Sequence, residues 1–125
     1  MAKQQTGGYT VYTITATTDG SGAATVYSDD KVTGAVVGIS YVKTDFSAGV
    51  DFAITGETTG AGLWTQADVN ASATVYPIVA SNLVSTGVAQ TTLVPPVLFN
   101  ERVKIAVTSG GATKTGTFYV SVKNV

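Results

Sequence analysis

The sequence predicts an all-β domain, a single antiparallel β-sandwich of jelly-roll or immunoglobulin-like kind, with a small β-barrel as the alternative. Three observations carry this. Apolar and polar residues alternate with a period of two through several runs, which places each apolar set on one face of a pleated strand. Clusters of Gly, Asp, Ser and Pro punctuate those runs at intervals of about 8–12 residues. No run has a helical period.

In chain order, Met1 to Gly8 is polar and ends in a glycine pair, and it reads as a flexible N-terminal arm before one domain over residues 9–125. Tyr9 to Thr17 sets Tyr12, Ile14 and Ala16 against Val11, Thr13 and Thr15, a half-buried strand rich in β-branched residues. Asp19-Gly20-Ser21-Gly22 is a turn, and Ala23 to Tyr27 a short strand. The long run Val32 to Lys43 has Val37, Ile39 and Tyr41 on one face and Val36, Gly38, Ser40 and Val42 on the other. Apolar residues on both faces suit a central strand, with Gly34 or Gly38 marking a bulge or a close approach. Val50 to Thr55 and Gly62 to Gln66 form a hairpin around Gly56 to Gly60, so that Leu63 or Trp64 meets Phe52 and Ile54 across the pair.

Thr74 to Val79 is a short strand that Pro77 confines to an edge or a bulge. From Ala80 to Asn100 the alternation dissolves into a long excursion around an extended Pro95-Pro96 pair. Its apolar end, Leu93, Val94, Pro95, Pro96, Val97, Leu98 and Phe99, is the predicted interface. The clearest pattern follows. Val103, Ile105 and Val107 alternate with Arg102, Lys104 and Ala106, Phe118, Val120 and Val122 alternate with Thr117, Tyr119, Ser121 and Lys123, and Ser109-Gly110-Gly111 between them predicts a β-hairpin over Glu101 to Lys123.

Composition narrows the chemistry. Only 12% of the 125 residues are charged, about half the usual share, which fits a secreted β-protein or a subunit that hides surface in an assembly. A net charge of −1 with scattered Lys and Arg speaks against nucleic-acid binding. Without cysteine there is no disulfide or thiolate metal site, and without histidine the commonest general base is missing. The start lacks the apolar segment of a signal peptide, and no run approaches the ~18 apolar residues of a membrane span, so synthesis in a cytoplasm is expected.

No catalytic signature emerges. Asp29-Asp30 reads as a solvated turn, and Asp19 to Gly22 lacks the later ligands of a calcium loop. Asp45, Asp51, Glu57 and Asp68 show no spacing that pairs two carboxylates for glycoside hydrolysis. Trp64 and the tyrosines read as core or sheet-face residues, although Trp64 with Tyr76 is the aromatic pair a sugar platform would use. Asn70-Ala71-Ser72 matches the glycosylation pattern, which matters only after secretion in a eukaryote. No catalytic residue, metal or cofactor is expected.

Four segments carry a family resemblance: Asp19 to Tyr27 (DGSGAATVY), Gly49 to Thr65 (GVDFAITGETTGAGLWT), Asn70 to Pro77 (NASATVYP) and Asn100 to Val122 (NERVKIAVTSGGATKTGTFYVSV). In these the chain resembles small β-rich virion structural proteins of tailed bacteriophages and prophages. The resemblance implies a non-enzymatic head decoration or cement protein on the outer head surface. Its partners would be the major capsid protein and copies of itself, with a trimer favoured and neither nucleic acid nor membrane involved. A head–tail connector or tail component is the alternative within that class, and a β-sandwich carbohydrate-binding module the alternative outside it.

Overall fold

A computed structural model describes residues 2–82 and 85–124, and they form an antiparallel β-sandwich. The strands are β1 (Ala2–Thr6), β2 (Tyr9–Thr17), β3 (Ala24–Tyr27), β4 (Val32–Lys43), β5 (Val50–Gly56) and β6 (Gly62–Val69). They continue with β7 (Ala73–Val75), β8 (Val79–Asn82), β9 (Ala89–Val94), β10 (Val97–Glu101), β11 (Val103–Thr108) and β12 (Thr115–Lys123). One sheet runs β1-β2-β12-β4-β10, with β7 also pairing β4. The second runs β3-β11-β5-β6, while β8 and β9 pair with each other.

Alternation decides what the sheets bury. Tyr12, Ile14 and Ala16 of β2 and Phe118, Val120 and Val122 of β12 point inward from the first sheet. Phe52 and Ile54 of β5 and Val103, Ile105 and Val107 of β11 face them from the second. Each buried Val, Ile or Phe among them contributes about 1.5–3 kcal/mol by leaving water. An aromatic cluster fastens the sheets at the centre. The Phe52 ring lies 5.3 Å from Tyr41, 5.1 Å from Phe118 and 4.8 Å from Trp64, in tilted or edge-on geometry. Phe46, from the loop between β4 and β5, stacks on Tyr41 at 6.1 Å and covers Gly116 so closely that a Cβ there would overlap its ring.

The expected Glu101–Lys123 hairpin is not one. β11 pairs β3 and β5 in the second sheet, and β12 pairs β2 and β4 in the first, so Ser109–Lys114 carries the chain across the sandwich. Both strands bury the faces expected of them, but opposite each other rather than side by side. Period-two patterning reports the buried face and is silent on the ladder partner. Ser109 and Gly111 do take positive φ, at 58° and 84°, and serve this crossing. Among the described residues, hairpins between consecutive strands occur at β1–β2, β5–β6 and β8–β9. In β5–β6 the expected contact forms, with Ile54 opposite Trp64.

Three further differences follow from the ladders. The stretch expected to be a flexible arm is, over Ala2–Thr6, strand β1 on the edge of the first sheet, joined to β2 through Gly7-Gly8; Met1 lies outside the described residues. In β4 the buried apolar side chains are Val32, Val36, Ile39 and Tyr41, with Gly34 and Gly38 also buried, rather than a single alternating set. Ser121 faces Gly38 and Val122 faces Val36, so Val37 is an extra residue and the inward face changes there. At Gly34, with φ 146°, the Lys123 carbonyl and Val122 side chain approach too closely for a Cβ. Lastly, the excursion over 80–100 contains the end of β8, all of β9 and most of β10, Leu83 and Val84 lying outside the described residues.

Two substitutions test the core. Gly116→Ala forces the buried Phe46 ring aside and is expected to cost about 1–3 kcal/mol in urea unfolding. Tyr41→Phe removes a buried hydroxyl that has no hydrogen-bond partner, so its unfolding midpoint is expected to stay level or rise.

Candidate functional site: an exposed apolar ribbon

The outer edge of β4 is shared by two strands, and the ribbon emerges between them. β10 pairs its first part (Val97 opposite Ala35), and β7 its later part (Val75 opposite Ile39). Tyr76-Pro77-Ile78 leads out from β7, and Pro95-Pro96 leads back into β10, where the Pro96 carbonyl accepts the Val36 N–H at 2.8 Å. Proline supplies no ladder donor, so its placement on both legs detaches β8–β9 from the main sheet. Val79 pairs opposite Val94 and Ala80 opposite Leu93. The Ser81 hydroxyl donates to the Thr92 carbonyl and the Asn82 amide to the Gly87 carbonyl, tying the outer half.

This segment concentrates the exposed apolar surface. Tyr76 is 75% exposed, Leu93 57% and Phe99 72%, and Ile78, Val79, Val88, Val94 and Val97 are also exposed. Elsewhere among the described residues, the exposed large apolar side chains are Tyr9, Val42 and Tyr119. From Val69 to Asn100 the sequence contains no Asp, Glu, Lys or Arg. A concentration of exposed apolar side chains without charge is the surface character of an interaction site.

Of the seven residues predicted as interface, Leu93, Val94, Val97 and Phe99 are exposed and Pro95 is half-buried. Leu98 and Pro96 are not available to a partner. On β10 alternation turns Val97 and Phe99 outward and Leu98, fully buried, into the core, and Pro96 is enclosed beside Val36. Sequence reasoning missed Tyr76, Ile78, Val79 and Val88, because a ribbon exposed on both faces has no inside to impose a period. The uncharged span was the available signal.

Several charged side chains serve structure. Glu101, only 3% exposed, ends β10 and reaches into the β5–β6 turn of the other sheet. Its carboxylate accepts the backbone N–H groups of Thr58 and Thr59, both at 3.0 Å, and the Thr59 hydroxyl at 2.9 Å. Gly56 leaves the space it occupies. The Thr59 N–H, foremost among these donors and outweighing burial, holds its pKa below the ordinary carboxylate value. Beside it Arg102 forms a two-pronged pair with Glu57 and lies 4.4 Å over the Tyr27 ring. A cleft of about 430 Å³ opens here against Thr15, Ser28 and Asp29. Of its polar groups, Ser28 is engaged internally, since its Oγ accepts from Val103 N–H and donates to the Asp30 carbonyl, and Arg102 is held by Glu57.

The remaining carboxylates are dispersed. Asp19 accepts from the Ala23 and Ser21 N–H groups and the Ser21 hydroxyl, which lowers its pKa and closes an ordinary turn. Asp30 pairs Lys3 at 3.4 Å, Asp45 accepts from Thr115 N–H and Asp51 from Asp68 N–H. Among the described residues no group of three or more Asp or Glu could hold a metal ion, and no helix is long and apolar enough to cross a membrane. Asn70 Oδ1 accepts the Gly49 N–H. Trp64 packs on Phe52 in the second sheet, whereas Tyr76 lies over Gly38 in the first, so they do not share a platform. Compared with models of known protein families and with curated protein sequences, the chain matches none.

Glu101→Gln is expected to cost about 1–3 kcal/mol at neutral pH, the worth of charge-assisted hydrogen bonds to a buried acceptor. Because the folded-state pKa is lowered, that stabilisation is complete above the unfolded value of about 4.3 and is lost as pH falls through the folded one. Urea unfolding at neutral and acid pH checks it: the gap between wild type and Glu101→Gln should narrow on acidification.

Proposed function

We propose that this chain is a non-enzymatic virion structural protein, a decoration or cement subunit on the outer head of a tailed bacteriophage. The observation that carries the reading is the uncharged apolar ribbon standing off a sandwich in which Asp19, Asp30, Asp45, Asp51, Glu57 and Glu101 are engaged in its own turns and ion pairs. The resemblance of the turn and strand segments to small virion proteins points the same way. In this role the ribbon and the neighbouring Val97 and Phe99 form contacts with the major capsid protein and with copies of the chain. A homo-oligomer, most simply a trimer on a three-fold position, presents the same patch several times over. Modest apolar burial at each contact then sums over many symmetric copies.

Purified particles test this. The chain is expected in hundreds of copies per head, and heads lacking it should rupture at a lower temperature, with adding the purified protein back restoring wild-type resistance. Its absence from purified particles would overturn the proposal. A copy number of about six or twelve would move it to a connector or tail ring. The separation of Trp64 from Tyr76 gives a carbohydrate-binding module less support, and that reading requires glycan affinity that Tyr76→Ala abolishes.

A further inference from the structure

β7 and β10 lie on the same edge of β4, and both run antiparallel to it. β12 pairs with the opposite edge of β4 and measures how many residues an uninterrupted neighbour needs. Between Ile39 and Ala35, four residues along β4, β12 runs only from Val120 to Lys123, three residues, because Val37 is the extra residue of the bulge. On the outer edge the same two positions of β4 face Val75 and Val97, twenty-two residues apart. The excess over three is nineteen residues. Side-chain direction agrees. Val75 packs against the core opposite Ile39, whereas Val97 is exposed and Leu98 is buried. Three steps along a strand carry an inward residue to an outward one, while twenty-two would return it to the inward face. Tyr76 lies over Gly38, and the Pro96 carbonyl accepts the Val36 N–H at 2.8 Å, so the two pieces close on either side of Val37.

We infer that β7 and β10 are the two halves of one edge strand, interrupted after Tyr76 by a separable nineteen-residue module, residues 77–95, that the sandwich does not need in order to fold. Tolerance of such a removal depends on what the affected residues bury and where their backbone bonds go. Among the described residues, no side chain from Tyr76 to Val97 joins the core. β8 and β9 pair only with each other, and the side-chain hydrogen bonds of Ser81, Asn82, Thr86 and Gln90 all stay within the ribbon. Shortening the connection also lowers the entropic cost of closing it. The exposed apolar side chains Ile78, Val79, Val88, Leu93 and Val94 therefore sit on a part of the chain that the stability of the body does not use. Contact with a partner and folding of the body are assigned to different residues, whatever the partner is and whether or not the chain belongs to a virion.

A shortened chain tests this, with residues 77–95 removed and Tyr76 joined to Pro96. Its thermal unfolding is expected within about 5 °C of the full chain. A companion lacking only residues 77–94 is one residue longer, which turns Leu98 outward or forces a further bulge. It should melt at least about 5 °C below the first. Hydrogen exchange of the full chain in mild urea gives a readout that needs no deletion. The amides of Ala89–Val94 should exchange by local opening, at least about a hundredfold faster than those of Ile39 and Tyr41. A shortened chain that fails to fold, one that melts no higher than its companion, or ribbon amides that exchange only when the whole body unfolds, overturns the inference.

Discussion

Everything ordered in this molecule depends on two sheets being held face to face by aromatic contacts centred on Phe52. That ring touches Tyr41 and Phe118 of the opposite sheet and Trp64 of its own. Edge-on and tilted rings fill the space between twisted sheets and add a geometric preference to the apolar burial. Gly116 belongs to the same constraint, since the inter-sheet space near it is taken by Phe46. Glu101 supplies a second fastening of a different kind. Its strand lies in one sheet and its carboxylate closes a turn in the other, so the point where the chain changes sheets is also polar-bonded to both.

The division between body and ribbon follows from how these contacts are distributed. The body has an inside, and its strands alternate because one face must leave water. The ribbon has no inside in the single chain, and prolines on both legs separate it from the ladder that would have given it one. The low charge content of the chain is uneven. It is most marked in the uncharged span from Val69 to Asn100, while Lys3, Asp30, Glu57, Arg102 and Glu101 manage turns, edges and the sheet crossing.

What could be read in the sequence was what burial imposes locally. Ile14, Phe52, Ile105 and Phe118 were placed on inward faces by alternation alone, and the Gly56–Gly60 turn by its residues. Ladder partners were not legible, because β11 would show the same pattern beside β12 or across the core from it. The bulge at Val37 was hidden because Val36 and Val37 are both Val, and only the partner strand decides which one turns inward. Leu98 was grouped with its neighbours by composition, although strand alternation separates it from Val97 and Phe99. The ribbon itself was legible as an apolar, loosely patterned stretch and illegible as paired strands, since nothing within the chain forces its side chains to choose a face.

The position of β12 in the first sheet also governs when the molecule can be completed during synthesis. It lies between β2 and β4, pairing Thr10 with Val122 and Tyr41 with Phe118. Until Thr115–Lys123 has left the ribosome, β2 and β4 have no common neighbour, and the Phe52 ring lacks one of its opposing rings. Loop closure over so long a span is slow, and it leaves Ile14, Ile39 and Tyr41 uncovered in the interim. A premature stop within β12 would therefore remove the centre of a sheet rather than trim its edge.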